Sequence, residues 1–187
     1  MIDHDRLLRW AIATLESAGI PYMISGSLAS SIYGRARATN DADIVIDVTS
    51  KDVAVLMDAV AGTEFYGSPA AAQEAVTNRT MFNVIDPVTG AKIDFIVRKN
   101  RPFSVAELER RRRLPFNETE AYFASPEDVI LSKLEWAQLG ESERQLTDAS
   151  HVAIAYAGQL DVAYLRYWAG QLGIVENVEK VLSRSAG

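Results

Sequence analysis

Apolar residues recur along this chain in two rhythms. Residues 5 to 18 carry them at helical spacing, with Leu8, Ala11, Ile12 and Leu15 on one face and Gly19 as a stop just past the end. "PYMIS" at 21 to 25 reads as a short buried strand that runs into Gly26-Ser27 and a helix over 28 to 33. "DADIVID" at 41 to 47 switches to a period of two, a strand, and Ser50 is placed to cap the helix that follows. "TMFNVID" and "AKIDFIV" are two further strands, linked as a hairpin through Pro87-Val88-Thr89-Gly90. Ser104 and Glu107 have the spacing of a capping box for a helix over 105 to 113. After the short strand "EAYFA", Ser125-Pro126-Glu127-Asp128 combines a cap, a first-turn proline and acids at the positive end of a helix. Helical spacing then continues to the C-terminus, broken at Gly140, Gly158 and Gly173. The pattern predicts an α/β module over residues 1–125 and a helical subdomain over 126–187.

Composition narrows the class. At 187 residues with 48% hydrophobic the chain has enough apolar surface for a packed core, and no apolar run approaches the roughly 20 residues that span a bilayer. The absence of cysteine excludes disulfides, thiol catalysis and cysteine-based zinc sites. With a charged, acidic "MIDHDRLLRW" at the start in place of a secretory signal, the expected location is cytoplasmic. The net charge of -6 is uneven: residues 98 to 113 hold seven basic residues against two acids, a local +5, which leaves -11 elsewhere. General coating by nucleic acid is therefore disfavoured, while one basic segment, with Arg110, Arg111, Arg112 and Arg113 at its end, is suited either to guide a polyanion or to be a solvated helix end.

Two acids stand out. Asp41 and Asp43 are two apart on a strand, so both side chains leave on one face while Ala42, Ile44 and Ile46 pack the other. At about 3.3 Å per residue their Cα atoms lie roughly 6.6 Å apart, close enough for both carboxylates to lean onto one divalent cation. Asp94 is a third acid inside an apolar strand, and a neighbouring-strand position would bring it beside the pair. Three carboxylates and few histidines favour Mg²⁺ over zinc. Ordinary strand acids facing water are the other reading of Asp41 and Asp43 alone. Upstream, Gly26 allows a close backbone approach, and Ser27 with the first helical N–H groups suits phosphate oxygens. Neither a Gly-x-Gly-x-x-Gly nor a Gly-Lys-Ser/Thr pattern is present, so Rossmann and P-loop sites lack support.

At these residues the chain resembles the nucleotidyltransferase superfamily that includes DNA polymerase beta, kanamycin nucleotidyltransferase and the CCA-adding enzymes. The shared pattern is a Gly-Gly or Gly-Ser turn, an acid-x-acid strand and a third acid on a neighbouring strand, here Gly26-Ser27, Asp41-Ala42-Asp43 and Asp94. "SPEDVILSKLEWAQLGESERQLTDASHV" further resembles the AbiE-type toxin group of bacterial nucleotidyltransferases, with Lys133, Arg144 and Asp148 at matching places, so the likeness covers residues 21 to 156. It implies an α+β fold, a mixed sheet flanked by helices with a helical tail, and Mg²⁺-dependent transfer of a nucleotide from an NTP such as ATP. Two Mg²⁺ ions, replaceable by Mn²⁺, would be held by Asp41, Asp43 and Asp94. Asp94 would also help deprotonate the incoming hydroxyl. Gly26, Ser27 and Lys133 would bind the nucleotide, with Arg35 or Arg37 near the entrance. The acceptor would be an RNA end or a protein hydroxyl, the chain a toxin with a cognate antitoxin partner.

Two other readings stay open: transfer to a small molecule of the aminoglycoside type, which an acidic surface suits, and a noncatalytic nucleotide- or partner-binding protein of the same fold. Arg144 and Asp148, four apart, read as an ordinary helix pair. His4 and His151 offer no base for a Ser-His-Asp site. Trp136, Tyr156, Tyr164, Tyr167 and Trp168 read as aromatics of the helical core.

Overall fold

A computed structural model describes residues 4–35, 41–117, 119–140 and 142–185. The elements in order are α1 (His4–Ala18), β1 (Tyr22–Ser25), α2 (Gly26–Tyr33), β2 (Asp41–Ile46), α3 (Ser50–Ala61), β3 (Tyr66–Gly67), α4 (Pro69–Asn78), β4 (Met81–Ile85), β5 (Lys92–Val97), α5 (Pro102–Glu109), β6 (Arg112–Phe116), β7 (Thr119–Phe123), α6 (Pro126–Gly140), α7 (Glu143–Ala155), α8 (Val162–Leu172) and α9 (Val175–Ser185). They form two compact units, one of Met1–Ile24 with Thr39–Phe123 and one of Ser25–Ala38 with Ala124–Gly187. Among the described residues no helix is long and apolar enough to cross a membrane.

The first unit is a mixed seven-stranded sheet in the order β3-β4-β5-β2-β1-β7-β6. β2 runs parallel to β5 and β1 parallel to β7, while β3 with β4, β4 with β5 and β6 with β7 are antiparallel. Alternation puts Ala42, Ile44, Ile46, Ile93, Phe95, Val97, Phe82 and Val84 on one face, all buried. α1 packs on β5, α4 on β4, and α3 contacts both helices. Phe82 stacks on Phe95 with ring centroids 5.3 Å apart. The β4–β5 turn is fastened by Asp86, fully buried, whose Oδ1 accepts from the Val88 N–H at 2.9 Å and whose Oδ2 accepts from Arg6 Nη2 at 3.0 Å. Burial pushes the Asp86 carboxyl up, but these donors together outweigh it and hold the group below its ordinary value.

Three local expectations are corrected here. The cap of α3 is Thr49, not Ser50: Thr49 Oγ1 accepts from the Asp52 N–H at 3.4 Å, and Asp52 Oδ2 accepts from the Thr49 N–H at 2.8 Å, a reciprocal capping box. The helix expected over 105–113 is α5, which begins at Pro102, where a fixed φ and a missing N–H cost nothing. Ser104 therefore makes no cap and its hydroxyl accepts from Arg101 Nε at 3.0 Å. α5 also stops before the arginine run: Arg110 is its C-cap, and Arg111 Nη1 donates to the Leu108 carbonyl at 2.7 Å, satisfying a last-turn carbonyl. Arg112 and Arg113 open the strand β6, with Pro115 paired in register with Glu120 of β7.

In the second unit α2 buries Ala29, Ser30 and Tyr33 and contacts α6 and α7, with Tyr33 edge-on to Tyr156 at 5.3 Å. Gly34 suits this close packing, since a Cβ there would lie 3.0 Å from the Ser30 carbonyl oxygen and 3.1 Å from the Val152 nitrogen, so that backbone would have to give by a few tenths of an ångström. α6 begins as the sequence implies: Ser125 Oγ accepts from the Asp128 N–H at 3.2 Å and donates to Asp128 Oδ2 at 2.6 Å. Asp128 is fully buried and also accepts from the Tyr164 hydroxyl at 2.6 Å. Of the aromatics expected in the helical core, Trp168 is buried, but Trp136 and Tyr167 are 61% and 60% exposed. Their positions on α6 and α8 point away from the neighbouring helices, a choice that an aromatic's identity alone does not reveal.

Candidate functional site

Asp43 and Asp94 are brought together by strand pairing. In the parallel register of β2 and β5, Asp43 lies opposite Asp94 and Asp41 opposite Lys92, so all four side chains share the face opposite the buried alternate set. On the other side of β5, Asn83 of β4 is the register partner of Asp94 and joins the same face. Asp41 is exposed and Asp43 half-buried, whereas Asp94 is buried.

Asp94 is the centre of this group. Its Oδ2 accepts from Lys92 Nζ at 2.7 Å, and its Oδ1 is buried without a hydrogen-bond partner among the described residues. A buried carboxylate oxygen with no donor is costly and calls for one. The hydrogen bond to Asp94 raises the Lys92 ammonium above its ordinary value; burial opposes this, and the charges of Asp94, Asp41 and Asp43 add to it. Lys92 thus sits as a cation in the field of all three carboxylates.

An all-oxygen donor set of this kind matches a hard divalent cation, and the unpartnered Oδ1 of Asp94 is a ready ligand atom. Among the described residues, however, no three His, Cys, Asp or Glu side chains stand together as a formed cation group. The ammonium of Lys92, rather than a third carboxylate, is what contacts Asp94.

Gly26, Ser27 and Lys133 belong to the second unit. Gly26 opens α2 with φ of 59°, a left-handed conformation in which a Cβ is strained, and the preceding Ser25 makes no side-chain cap. The backbone turn expected at Gly-Ser is thus present. Ser27 is half-buried, and its carbonyl accepts from the hydroxyls of Ser30 and Ser31 at 3.0 and 2.8 Å. Lys133 on α6 donates from Nζ to Asp148 Oδ2 at 2.9 Å on α7, its side chain only 5% exposed. The expected Arg144–Asp148 pairing is therefore replaced by an interhelical one. Of the two arginines expected near the entrance, Arg35 is exposed and Arg37 lies outside the described residues.

The basic segment is largely engaged within its own unit. Arg111 stacks over the Tyr122 ring at 4.7 Å, and Arg113 covers the same ring at 5.5 Å while its Nε contacts Glu120 at 3.1 Å. Arg98 Nε lies 3.1 Å from Asp47. Sequence reasoning missed Lys92 altogether; its spacing of two from Asp94 was the available signal.

The mixed sheet flanked by helices matches the fold of solved nucleotidyltransferase-like structures. The chain matches the solution structure of the antibiotic-resistance factor ANT(2'')-Ia with 11% identity and a TM-score of 0.60, over 94% of this chain and 96% of that one. It matches the crystal structure of ANT(2'')-Ia in complex with adenylyl-2''-tobramycin with 12% identity and a TM-score of 0.60, over 89% and 96%. An antigenic nucleotidyltransferase-like protein from Paracoccidioides brasiliensis matches with 16% identity and a TM-score of 0.57, over 97% and 93%. At such identities the likeness is one of fold. No protein-family model and no curated protein matches the sequence.

Proposed function

We propose that this chain is a nucleotidyltransferase that moves a nucleotidyl group from an NTP, ATP among them, to an acceptor hydroxyl. The observation that carries the reading is the register pairing of Asp43 with Asp94, whose buried Oδ1 has no donor among the described residues, on one face with Asp41. Asp41, Asp43 and Asp94 are the residues that would hold Mg²⁺ or Mn²⁺. Bound there, the metal supplies Lewis-acid stabilisation of charge on the α-phosphate and the departing pyrophosphate. The acceptor oxygen forms the new bond to the α-phosphorus as the bond to pyrophosphate breaks, and Asp94 is the group suited to take the hydroxyl proton. Gly26 and Ser27 keep the part that the resemblance gives them, contacts to the phosphate oxygens, for which the positive φ of Gly26 is the supporting feature.

For the acceptor, the net charge of -6 and the intramolecular engagement of Arg98, Arg111 and Arg113 favour a cationic small molecule of the aminoglycoside type. The fold shared with ANT(2'')-Ia over nearly the whole of both chains agrees with it. The second reading is an RNA end or a protein hydroxyl, with the chain acting in the cytoplasm as the toxin of a toxin–antitoxin pair. The local +5 between residues 98 and 113 and the AbiE-type resemblance of the tail support that one. Purified protein incubated with each labelled NTP, Mg²⁺ and either aminoglycosides, a tRNA pool or a protein extract tests both. Label should pass to the aminoglycosides; transfer to RNA or protein selects the second reading, and no transfer in any arm removes the enzymatic one.

A further inference from the structure

We infer that Lys92 is a built-in competitor for the divalent cation: its ammonium holds Asp94 in the metal-free protein and has to leave that carboxylate before a metal can bind there. The inference rests on the metal-dependent reading proposed above. Its ground is geometric. Lys92 and Asp94 are two apart on β5, so both emerge on the carboxylate face, and Nζ reaches Asp94 Oδ2 at 2.7 Å. The register places Lys92 opposite Asp41 and Asp94 opposite Asp43, so the ammonium stands among the very oxygens that a cation would use.

A lysine ammonium is suited to such a part. It is a compact point charge on a flexible stem, and it fixes only one oxygen of Asp94, leaving Oδ1 without a donor. It relieves like-charge repulsion in the empty protein yet cannot complete the coordination that a divalent ion offers. With the Lys92 side chain 32% exposed, a route to solvent is open once the metal arrives. Metal binding in this protein is thus an exchange of one cation for another, and the affinity measured without nucleotide is weaker than the carboxylates alone would give.

The test is Mn²⁺ binding followed by electron paramagnetic resonance on the full chain without nucleotide, for wild type, Lys92→Met and Lys92→Arg. Lys92→Met should bind Mn²⁺ at least about tenfold more tightly, and Lys92→Arg close to wild type. The same Lys92→Met protein should melt at a lower temperature without metal and gain more on its addition. A wild type that binds Mn²⁺ with Lys92→Met no tighter overturns the inference and leaves the metal reading intact. No binding by either protein, with or without NTP, overturns both. Should Lys92→Met fail to fold, Lys92→Gln takes its place. A crystal structure of the wild type with Mn²⁺ bound gives an independent answer: Nζ should stand beyond hydrogen-bond reach of Asp94, and Nζ still in contact with it refutes the exchange.

Discussion

Asp43 faces Asp94 across a strand pair, and neutralising it has consequences of unequal size for folding and for chemistry. Without metal, Asp43→Asn removes one of several like charges, so the melting temperature should stay within a degree or two or rise slightly. On the metal-dependent reading proposed above, the same charge would support the metal in the transition state, and its loss should lower Mg²⁺-dependent transfer by at least about a hundredfold, ~2.7 kcal/mol. Paired melts and transfer assays on Asp41→Asn and Asp43→Asn check this; unfolding of either variant would mean that the acids are structural. Lys133 poses the reverse case. Its ammonium is buried against Asp148, so Lys133→Met should leave an uncompensated carboxylate and cost about 3–5 kcal/mol in urea unfolding, with Lys133→Met/Asp148→Leu recovering most of it. A Lys133→Met protein of unchanged stability but weakened NTP binding would return Lys133 to the nucleotide. The shared strand face of Asp41 and Asp43 was legible from their spacing of two, and the apolar strand around Asp94 marked it as a candidate neighbour, which the register now places opposite Asp43. The partner of Lys133 was not legible, since it depends on which faces of α6 and α7 meet, whereas that of Lys92 was signalled by its spacing of two from Asp94 on one strand.

Element boundaries show where local signals compete. Thr49 and Ser50 are both good caps; the choice between them is decided by Asp52, which stands three residues after Thr49 and completes the reciprocal bond. The Thr49 N–H and then its hydroxyl hold the Asp52 carboxyl below the ordinary carboxylate range. A carboxyl depressed in the folded state adds stability above its unfolded pKa of about 3.9, and that contribution fades as pH falls through the lower folded value. Thr49→Ala should therefore cost about 1 kcal/mol at neutral pH, with the gap to wild type narrowing below about pH 4, as read by urea titrations at several pH values. A gap that widens in acid would contradict the assignment. The same competition explains α5 and β6. Pro102 prevails over Ser104 for the helix start, and of the four arginines, all good helix formers, Arg110 becomes a C-cap while Arg112 and Arg113 enter a strand because β7 supplies a ladder for them. Neither α4 nor β3 was anticipated: alanines at 70–72 lack an alternating face, and a two-residue strand carries no pattern.

At the scale of the whole molecule the chain does not divide at a single point. The helix after β1 is grouped with α6 and α7, although it lies a hundred residues before them in sequence. Local periodicity cannot show such an exchange, and for that reason a simple division at residue 125 looks sufficient from the sequence. A fragment of residues 1–125 would leave Ala29, Ser30 and Tyr33 of α2 without the helices that bury them. It should fail to give a cooperative thermal transition by circular dichroism and should bind a dye for exposed apolar surface, whereas the full chain should do neither. A cooperative, dye-negative fragment would show that α2 needs none of those partners.

The strand β6 ends the sheet, so among the described residues one of its long sides has no neighbour in the strand order. With Phe116 and Thr119 as the innermost pair, the pairs alternate between bonded and non-bonded, and Pro115 opposite Glu120 falls on the alternate whose backbone nitrogen faces outward. An incoming strand from a second molecule would find no donor there, and beside it the charged side chains of Arg112 and Arg113. Arg112 and Arg113 thus have a consequence that involves no ligand at all: together with the proline they make this edge a poor template for a further strand. Pro115→Thr should restore the donor on a strand-favouring residue, and light scattering at high protein concentration should then report more self-association than the wild type shows; a Pro115→Thr protein no more associated than the wild type would assign the guarding of this edge to the arginines alone.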